Sequence, residues 1–217
     1  MNESKHFIHN DYIEFREYLL NENSNIKFLK KDSFLIAPSD ALDYIYFILD
    51  GMVVNTFIYK NGYEKAFTAH GKNTIVPLYS PTNLPIEGSI TLKVIKDCHV
   101  ISFPKKKFAD LLQKNKDLNN QMYVSYIKHI NYLIYENLSL ITNNGLTRIS
   151  IFLLNYIKDH NPIDNIIPIS QQEIANLVGL NLINTSRNIK TLKDMHIVKT
   201  GRNKIIVLDI EKLSKLC

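Results

Sequence analysis

Asn184, Arg187, Asn188 and Thr191 follow one another at steps of three, one and three residues, which gathers them on one face of any helix that holds them. Amides, a hydroxyl and a guanidinium form no acid–base pair and no nucleophile with a placed base. What they share is directional hydrogen bonding. An arginine forks onto guanine O6 and N7, an asparagine pairs with an adenine edge, and all of them can meet a phosphate. Lys190 and Lys193 lie beside them, and Arg202 and Lys204 a little further on. These are point charges of the kind that position a protein on a phosphate backbone.

The elements that would hold these groups are legible around them. From Ile169 the chain reads ISQQEIANLVGLNLINTSRNIKTLKDMHIVKTGRNK. Ser170 with Glu173 three positions later is a capping box, which starts a helix. Ile174, Ala175, Leu177 and Val178 give that helix its apolar face, and Gly179 is suited to the left-handed turn that ends it. Asn181 then caps a second helix. Its inner face is expected to be Leu182, Thr185, Ile189, Leu192 and His196, its outer face Asn184, Arg187, Asn188 and Thr191. Val198–Thr200 and Lys204–Leu208 read as two strands around the turn Gly201-Arg202-Asn203. Two helices across a glycine followed by a basic hairpin make a winged helix-turn-helix, a DNA reader.

Two helices at a glycine also describe many small helical subdomains, and the charge distribution decides against that bland account. From Ser170 to Cys217 there are 8 Lys+Arg against 4 Asp+Glu, a net +4. From Met1 to Asn144 the balance is 16 against 15, and from Gly145 to Ile169 it is 2 against 2. The formal +5 of the chain is thus concentrated where phosphates would be met.

At these residues a resemblance becomes specific. Ser170-x-x-Glu173-Ile174-Ala175, Gly179-Leu180, Ser186-Arg187, Ile189, Leu192 and Ile197 resemble the DNA-binding half of the Crp/Fnr superfamily of bacterial transcription regulators. Arg148 matches the family's customary arginine. The family often carries Arg-Glu where this chain has Leu182 and Ile183, so the familiar operator is not to be assumed here. Direct readout would rest on Asn184, Ser186 and Arg187, with Ile183 on a thymine methyl and DNA shape adding specificity. The full set of candidate DNA contacts is Ser170, Gln171, Asn181, Leu182, Ile183, Asn184, Ser186, Arg187, Lys190, Arg202 and Lys204.

The preceding residues have a different texture. Residues 11–20 suit a short helix with Ile13, Phe15 and Leu19 as apolar positions. From Ile26 to Phe103 short apolar stretches (IKFL, SFLI, YIYFIL, MVVNTFIY, KAFTAH, TIVPLY, SITLKVI, HVISF) alternate with turn-formers, among them Asp50-Gly51 and Asn61-Gly62. That pattern predicts an all-β barrel or sandwich, with Asn61-Gly62 as a hairpin turn. Tyr46–Gly51 (YFILDG) resembles the "YFILSG" signature of the family's cyclic-nucleotide-binding β-roll, and Asn61–Lys65 its following hairpin.

Cyclic-nucleotide binders of this fold use a Gly-Glu pair and an arginine on the cyclic phosphate, yet Gly71–Asp97 contains no arginine. Lysine cannot supply the same planar fork. The family's oxygen sensors carry four cysteines, and only Cys98 and Cys217 are present. His70 and His99 are the haem-ligand candidates, but a lone histidine is more often structural. The GxNxxxxLYxPxN spacing from Gly71 to Asn83 resembles regulators of halogenated aromatics. That resemblance implies an organic effector touching Leu78, Tyr79, Leu84, Tyr126 and His129. The competing account makes Leu78, Tyr79 and Tyr126 plain core packing.

Lys105–Ile141 turns helical. Val124, Ile127, Asn131, Ile134, Leu138 and Ile141 follow the 3-4 repeat of a two-stranded coiled coil, with Asn131 as a register device. A second stripe, Met122, Tyr126, His129, Leu133 and Leu140, would face the β-roll. Asn143-Asn144-Gly145 is the expected hinge, followed by a helix from Leu146 to His160 and a connection through Pro162 and Pro168.

The expected fold class is therefore α+β. Residues 1–104 form a β-roll sensor that is cyclic-nucleotide-binding-like, and 105–144 a helical linker with the long central dimerisation helix. Residues 145–217 form the C-terminal winged helix-turn-helix. The implied partners are double-stranded DNA with a palindromic operator, a second copy as homodimer, RNA polymerase if the protein activates, and a small organic effector. No cofactor or metal is expected. The polar N-terminus and the lack of any long apolar run point to a cytoplasmic protein without a membrane anchor. No enzyme is implied: no acid pair or metal-ligand spacing occurs. The alternative of another class is a sensor or scaffold protein with a vestigial DNA half.

Overall fold

The computed structural model describes residues 7–23, 25–58, 64–80 and 90–217. The chain divides into two compact units, meeting between Asn131 and Tyr132.

In the first unit, from Phe7, seven strands form one sheet among the described residues: β1 (Phe7–Ile8), β2 (Ile26–Leu29), β3 (Phe34–Ile36), β4 (Tyr44–Ile58), β5 (Glu64–His70), β6 (Thr74–Val76) and β7 (Ile90–Pro104). The order is β1-β5-β4-β7-β2, with β3 on β7 and β6 on β4. β4 and β7 are 15 residues each and pair antiparallel almost throughout. Each takes two shorter partners along its length, which rolls the sheet: β6 then β5 on β4, β2 then β3 on β7.

The stretches YIYFIL and MVVNTFI are one strand, not two. Asp50-Gly51 reads as a turn in the sequence but is a bulge, with register shifts between Ile48 and Val53. Gly51 has φ +95, and a Cβ there would lie 2.2 Å from the Asp97 carbonyl oxygen. Only glycine allows that bend and that approach. The apolar stretches of residues 90–103 likewise merge into β7. Asn61-Gly62 lies outside the described residues.

Strand alternation sends successive side chains to opposite faces, and both faces of β4 are covered. Ile45, Phe47 and Leu49 join one core with Ile101, Phe103, Phe108 and Met122. Ile48 and Val53 join another with Val76, Leu92, Val94 and Val100. The N-terminal helix is shorter than expected: a single 3-10 turn at Ile13–Phe15 precedes α1 (Arg16–Glu22). Ile13 faces solvent, while Tyr12 is buried and its hydroxyl donates to the Met122 sulfur at 3.0 Å.

After β7 come α2 (Lys105–Lys114), burying Phe108, Leu111 and Leu112, and α3 (Lys116–Thr142). The buried stripe of α3 is Leu118, Met122, Ser125, His129, Tyr132 and Ser139. Leu133 and Leu140, expected on that stripe, are exposed. Steps of three, four and three from Met122 lead to Ser125, His129 and Tyr132, and Leu133, one residue on, is turned about 100° from Tyr132.

The second unit opens with the end of α3 and continues into α4 (Gly145–His160). Asn144 caps α4, its side chain accepting from the Thr147 N–H at 3.0 Å. α4 buries Ile149, Ser150, Phe152, Leu153, Leu154 and Ile157; Leu146 and Tyr156, expected inside, are half-buried. The stretch read as a plain connection contains β8 (Ile166–Ile167). Then come α5 (Gln171–Val178), α6 (Leu182–Asp194), β9 (Val198–Gly201), β10 (Lys204–Val207) and a final short helix, α7 (Ile210–Ser214), which the sequence pattern did not reveal. β8, β10 and β9 form a small antiparallel sheet. None of the described helices is long and apolar enough to cross a membrane.

Candidate nucleic-acid interface

The capping box at α5 is formed in full. Ser170 Oγ accepts from the Glu173 N–H at 3.2 Å, and the Glu173 carboxylate accepts from the Ser170 N–H at 2.8 Å and its hydroxyl at 2.7 Å. Gly179 closes the helix in the left-handed region, φ 67. Asn181 starts α6, its side chain accepting from the Asn184 N–H at 2.8 Å.

α6 buries Thr185, Ile189 and Leu192. The Thr185 hydroxyl is satisfied by the Asn181 carbonyl at 3.0 Å. Two residues of the expected inner face are outside. Leu182 is the first helical residue and 43% exposed. His196 lies beyond the end of the helix with φ 58 and is exposed. Left-handed backbone there reverses the chain, so Ile197 takes the buried place and donates its N–H to the Leu192 carbonyl at 3.0 Å.

The opposite face presents Leu182, Ile183, Asn184, Arg187 and Lys190 to solvent, with Ile183 at 65% exposure. Asn188 is turned back onto its own helix, its amide donating to the Asn184 carbonyl at 2.9 Å. Ser186 is half-buried and bonded to Gln171 of α5 at 2.7 Å. The hairpin closes over two residues, Arg202 and Asn203, because Gly201 pairs with Lys204; Asn203 has φ 51. Arg202 and Lys204 are exposed at its tip. All eleven candidate DNA contacts thus lie in one unit, on α5, α6 and the hairpin.

Residues 147–216 match the Crp-like helix-turn-helix domain, and residues 26–115 match the cyclic nucleotide-binding domain. The chain belongs to the Crp/Fnr family of transcription regulators. It is 24% identical over 184 residues to the cAMP-activated global transcriptional regulator CRP of Pasteurella multocida, covering 81% of this chain and 86% of that protein. Among solved structures, the c-di-GMP responsive global regulator CLP of Xanthomonas campestris shares the fold at a TM-score of 0.79 and 16% identity, over 91% of this chain and 99% of that one. CprK complexed with OCPA does so at 0.70 and 20%, over 98% and 100%. Regulators of this family bind DNA and are not enzymes.

In the β-rich half of this Crp/Fnr regulator, the five expected effector residues are only partly gathered. The Tyr126 hydroxyl donates to the Tyr79 carbonyl, and the Tyr79 ring packs edge-on against Phe108 at 5.4 Å. Both tyrosines border the apolar core. Burial pushes the Tyr126 phenol above its ordinary range. Leu78 points outward at 45% exposure, and Leu84 lies outside the described residues.

His129 is buried, and its ring stacks on His70, at the end of β5, with centroids 5.7 Å apart. Burial, helped by the neighbouring imidazole, holds His70 down at about 3. Burial also lowers His129, against the pull of Asp11. Asp11 accepts from the Ser125 hydroxyl and from Lys128, both at 3.0 Å. His99, the other haem-ligand candidate, is exposed against Phe28. The pairing of His70 with His129 had no sequence signal, because the packing of α3 against the end of β5 brings them together across 59 positions.

Proposed function

We propose that this regulator works in the cytoplasm as a homodimer that reads a palindromic operator, under a signal other than a cyclic nucleotide. The observation that carries the reading is the outer face of α6: Asn184, Arg187 and Lys190 are exposed together beside the basic hairpin. Arg187 reaches a guanine edge, Asn184 a base edge or the backbone, Ile183 a thymine methyl, and Lys190, Arg202 and Lys204 the phosphates. Ser170, Gln171, Asn181 and Leu182 flank that face. Residues 1–104 serve as sensor, 105–144 as linker and dimer helix, and 145–217 as reader.

Dimerisation is supported by α3. Val124, Ile127, Asn131, Ile134, Leu138 and Ile141 are all exposed, Ile141 at 78%, along one seam of a single helix. A second copy would cover that seam and set two recognition helices about one DNA turn apart. RNA polymerase becomes a partner where the regulator activates.

For the effector, the absence of arginine from Gly71–Asp97 speaks against a cyclic phosphate. CprK, similar in fold, binds o-chlorophenolacetic acid. Tyr79, Tyr126 and His129, with Leu78 and Leu84, would meet a ligand of that aromatic kind. It would control DNA binding only to the extent that it binds two states of the dimer differently. Selection of bound duplexes from a random pool, with and without aromatic acids, tests the whole reading. The expected result is one enriched inverted repeat whose retention changes with an aromatic acid. A pool with no enriched sequence, even at low salt, would remove the DNA-reading role.

A further inference from the structure

The geometry points to Ser186 as a positioning residue that acts on DNA through Gln171. This rests on the reading of α5, α6 and the hairpin as the DNA interface. Ser186 is expected from sequence to touch the DNA itself. In the structure its hydroxyl donates to the Gln171 side-chain oxygen at 2.7 Å, and both side chains are half-buried.

That bond has a directional consequence. A primary amide has an acceptor end and a donor end. Ser186 occupies the acceptor end of Gln171, which leaves the Nε2 donor end for a ligand. Gln171 is the first residue of α5, directly after the Ser170 cap. At a helix start the local backbone favours an anion, and two N–H donors complete a phosphate contact without any formal charge. The next glutamine is not free to share this work: Gln172 donates along its own helix to Asn176 at 2.8 Å.

The pair also ties the two helices of the reader together, since residues 171 and 186 sit on α5 and α6. A phosphate held by Gln171 therefore fixes the depth at which Asn184 and Arg187 enter the groove. Ser186 contributes to affinity by aiming the amide, and carries no base preference of its own.

The test is a double-mutant cycle on the full-length protein, using the duplex enriched by selection. Gln171→Ala and Ser186→Ala should each weaken binding by about three- to tenfold, equally on matched and mismatched duplexes. The double variant should be no weaker than the weaker single one, and Ser186→Thr, which keeps the hydroxyl, should recover the loss. Because the lost donor is neutral, the dependence of log affinity on log salt should keep its slope. Lys190→Ala, by contrast, should shift that slope by about 1. Additive losses, or a change of preferred base in Ser186→Ala alone, would overturn the positioning role while leaving the DNA reader intact. Failure of the wild-type chain to enrich any duplex would overturn both.

Discussion

The two halves of this regulator handle polar side chains in opposite ways. In the reader, the Ser186–Gln171 pair apart, the polar groups described above are oriented by neighbours close in sequence. Ser170 and Glu173 lie three apart, as do Asn181 and Asn184; the Asn188 amide bonds back four residues. In the β-rich unit, buried polar groups meet distant partners: the Tyr12 hydroxyl bonds to Met122, the Ser125 hydroxyl to Asp11, and the His70 ring stacks on His129. An exposed, pre-oriented face can be occupied by DNA without rearranging its own core. A buried polar cluster is high-stakes, because a change at one member leaves another unsatisfied. The contrast suits the first arrangement to meeting DNA and makes the second sensitive to substitution.

The sharpest way to break that comparison is to attack the surface that belongs to neither arrangement. The α3 seam is exposed yet apolar. Replacing Ile127 and Ile134 together by lysine puts four cations into the seam of a dimer, two from each copy. A charge buried without a partner costs several kcal/mol. The dimer dissociation constant should therefore rise by at least about a hundredfold. Sedimentation velocity at micromolar protein would show monomers, and DNA retention should fall with it. A variant that stays dimeric would place the interface elsewhere.

Next in size is Arg187→Ala. Loss of a bidentate base contact costs about 1–3 kcal/mol and relaxes the preference at one base pair. Repeating the duplex selection with the variant reads this directly. An equal loss on every sequence would make Arg187 a phosphate contact, and Asn184 would then carry the direct readout.

These effects bear on why the reader was legible and the β-rich unit less so. The capping box, the glycine turn and the 3-4 spacing are short-range, so Ser170, Glu173, Gly179 and Asn181 announce α5 and α6. The same logic failed where long-range register decides. Asp50-Gly51 has the composition of a turn, but its backbone is set by the close approach of Asp97 on β7. His196 continued the helical spacing on paper, yet its left-handed backbone ends the pattern and hands the buried place to Ile197. Tyr79 and Tyr126 are expected together with Leu78 around one effector, but the two tyrosines bond to each other and border the core while Leu78 is left outside.

The buried imidazoles His70 and His129 give the β-rich unit a pH signature. Both are lowered in the folded chain, His70 to about 3, from an ordinary value near 6.5. Above about 6.5 neither the folded nor the unfolded chain binds these protons, and their contribution to stability is complete. As pH falls from there toward about 3, the unfolded chain takes up protons that the folded chain refuses. Stability is then lost by up to about 1.4 kcal/mol per pH unit for each histidine. Urea unfolding at pH 7.5 and pH 5.0, followed on the wild type and on His70→Phe, measures this. The variant should lose less stability across that interval; an identical loss would assign the acid sensitivity to other groups.

The smallest effect probes the reader from within. Ser170 is a candidate DNA contact, but the capping box uses its hydroxyl both as acceptor and as donor. Ser170→Ala should cost about 1 kcal/mol of stability, the ordinary worth of an N-cap. Ser170→Asn keeps a capping side chain and removes the hydroxyl donor. If the cap is the whole contribution, Ser170→Asn should retain both the melting temperature and the DNA affinity of the wild type. A variant that melts normally but binds DNA severalfold more weakly would return Ser170 to the phosphate-contacting set. The capping box would then have to open on binding, against the contrast from which these tests begin: a reader whose polar groups are already in place before DNA arrives.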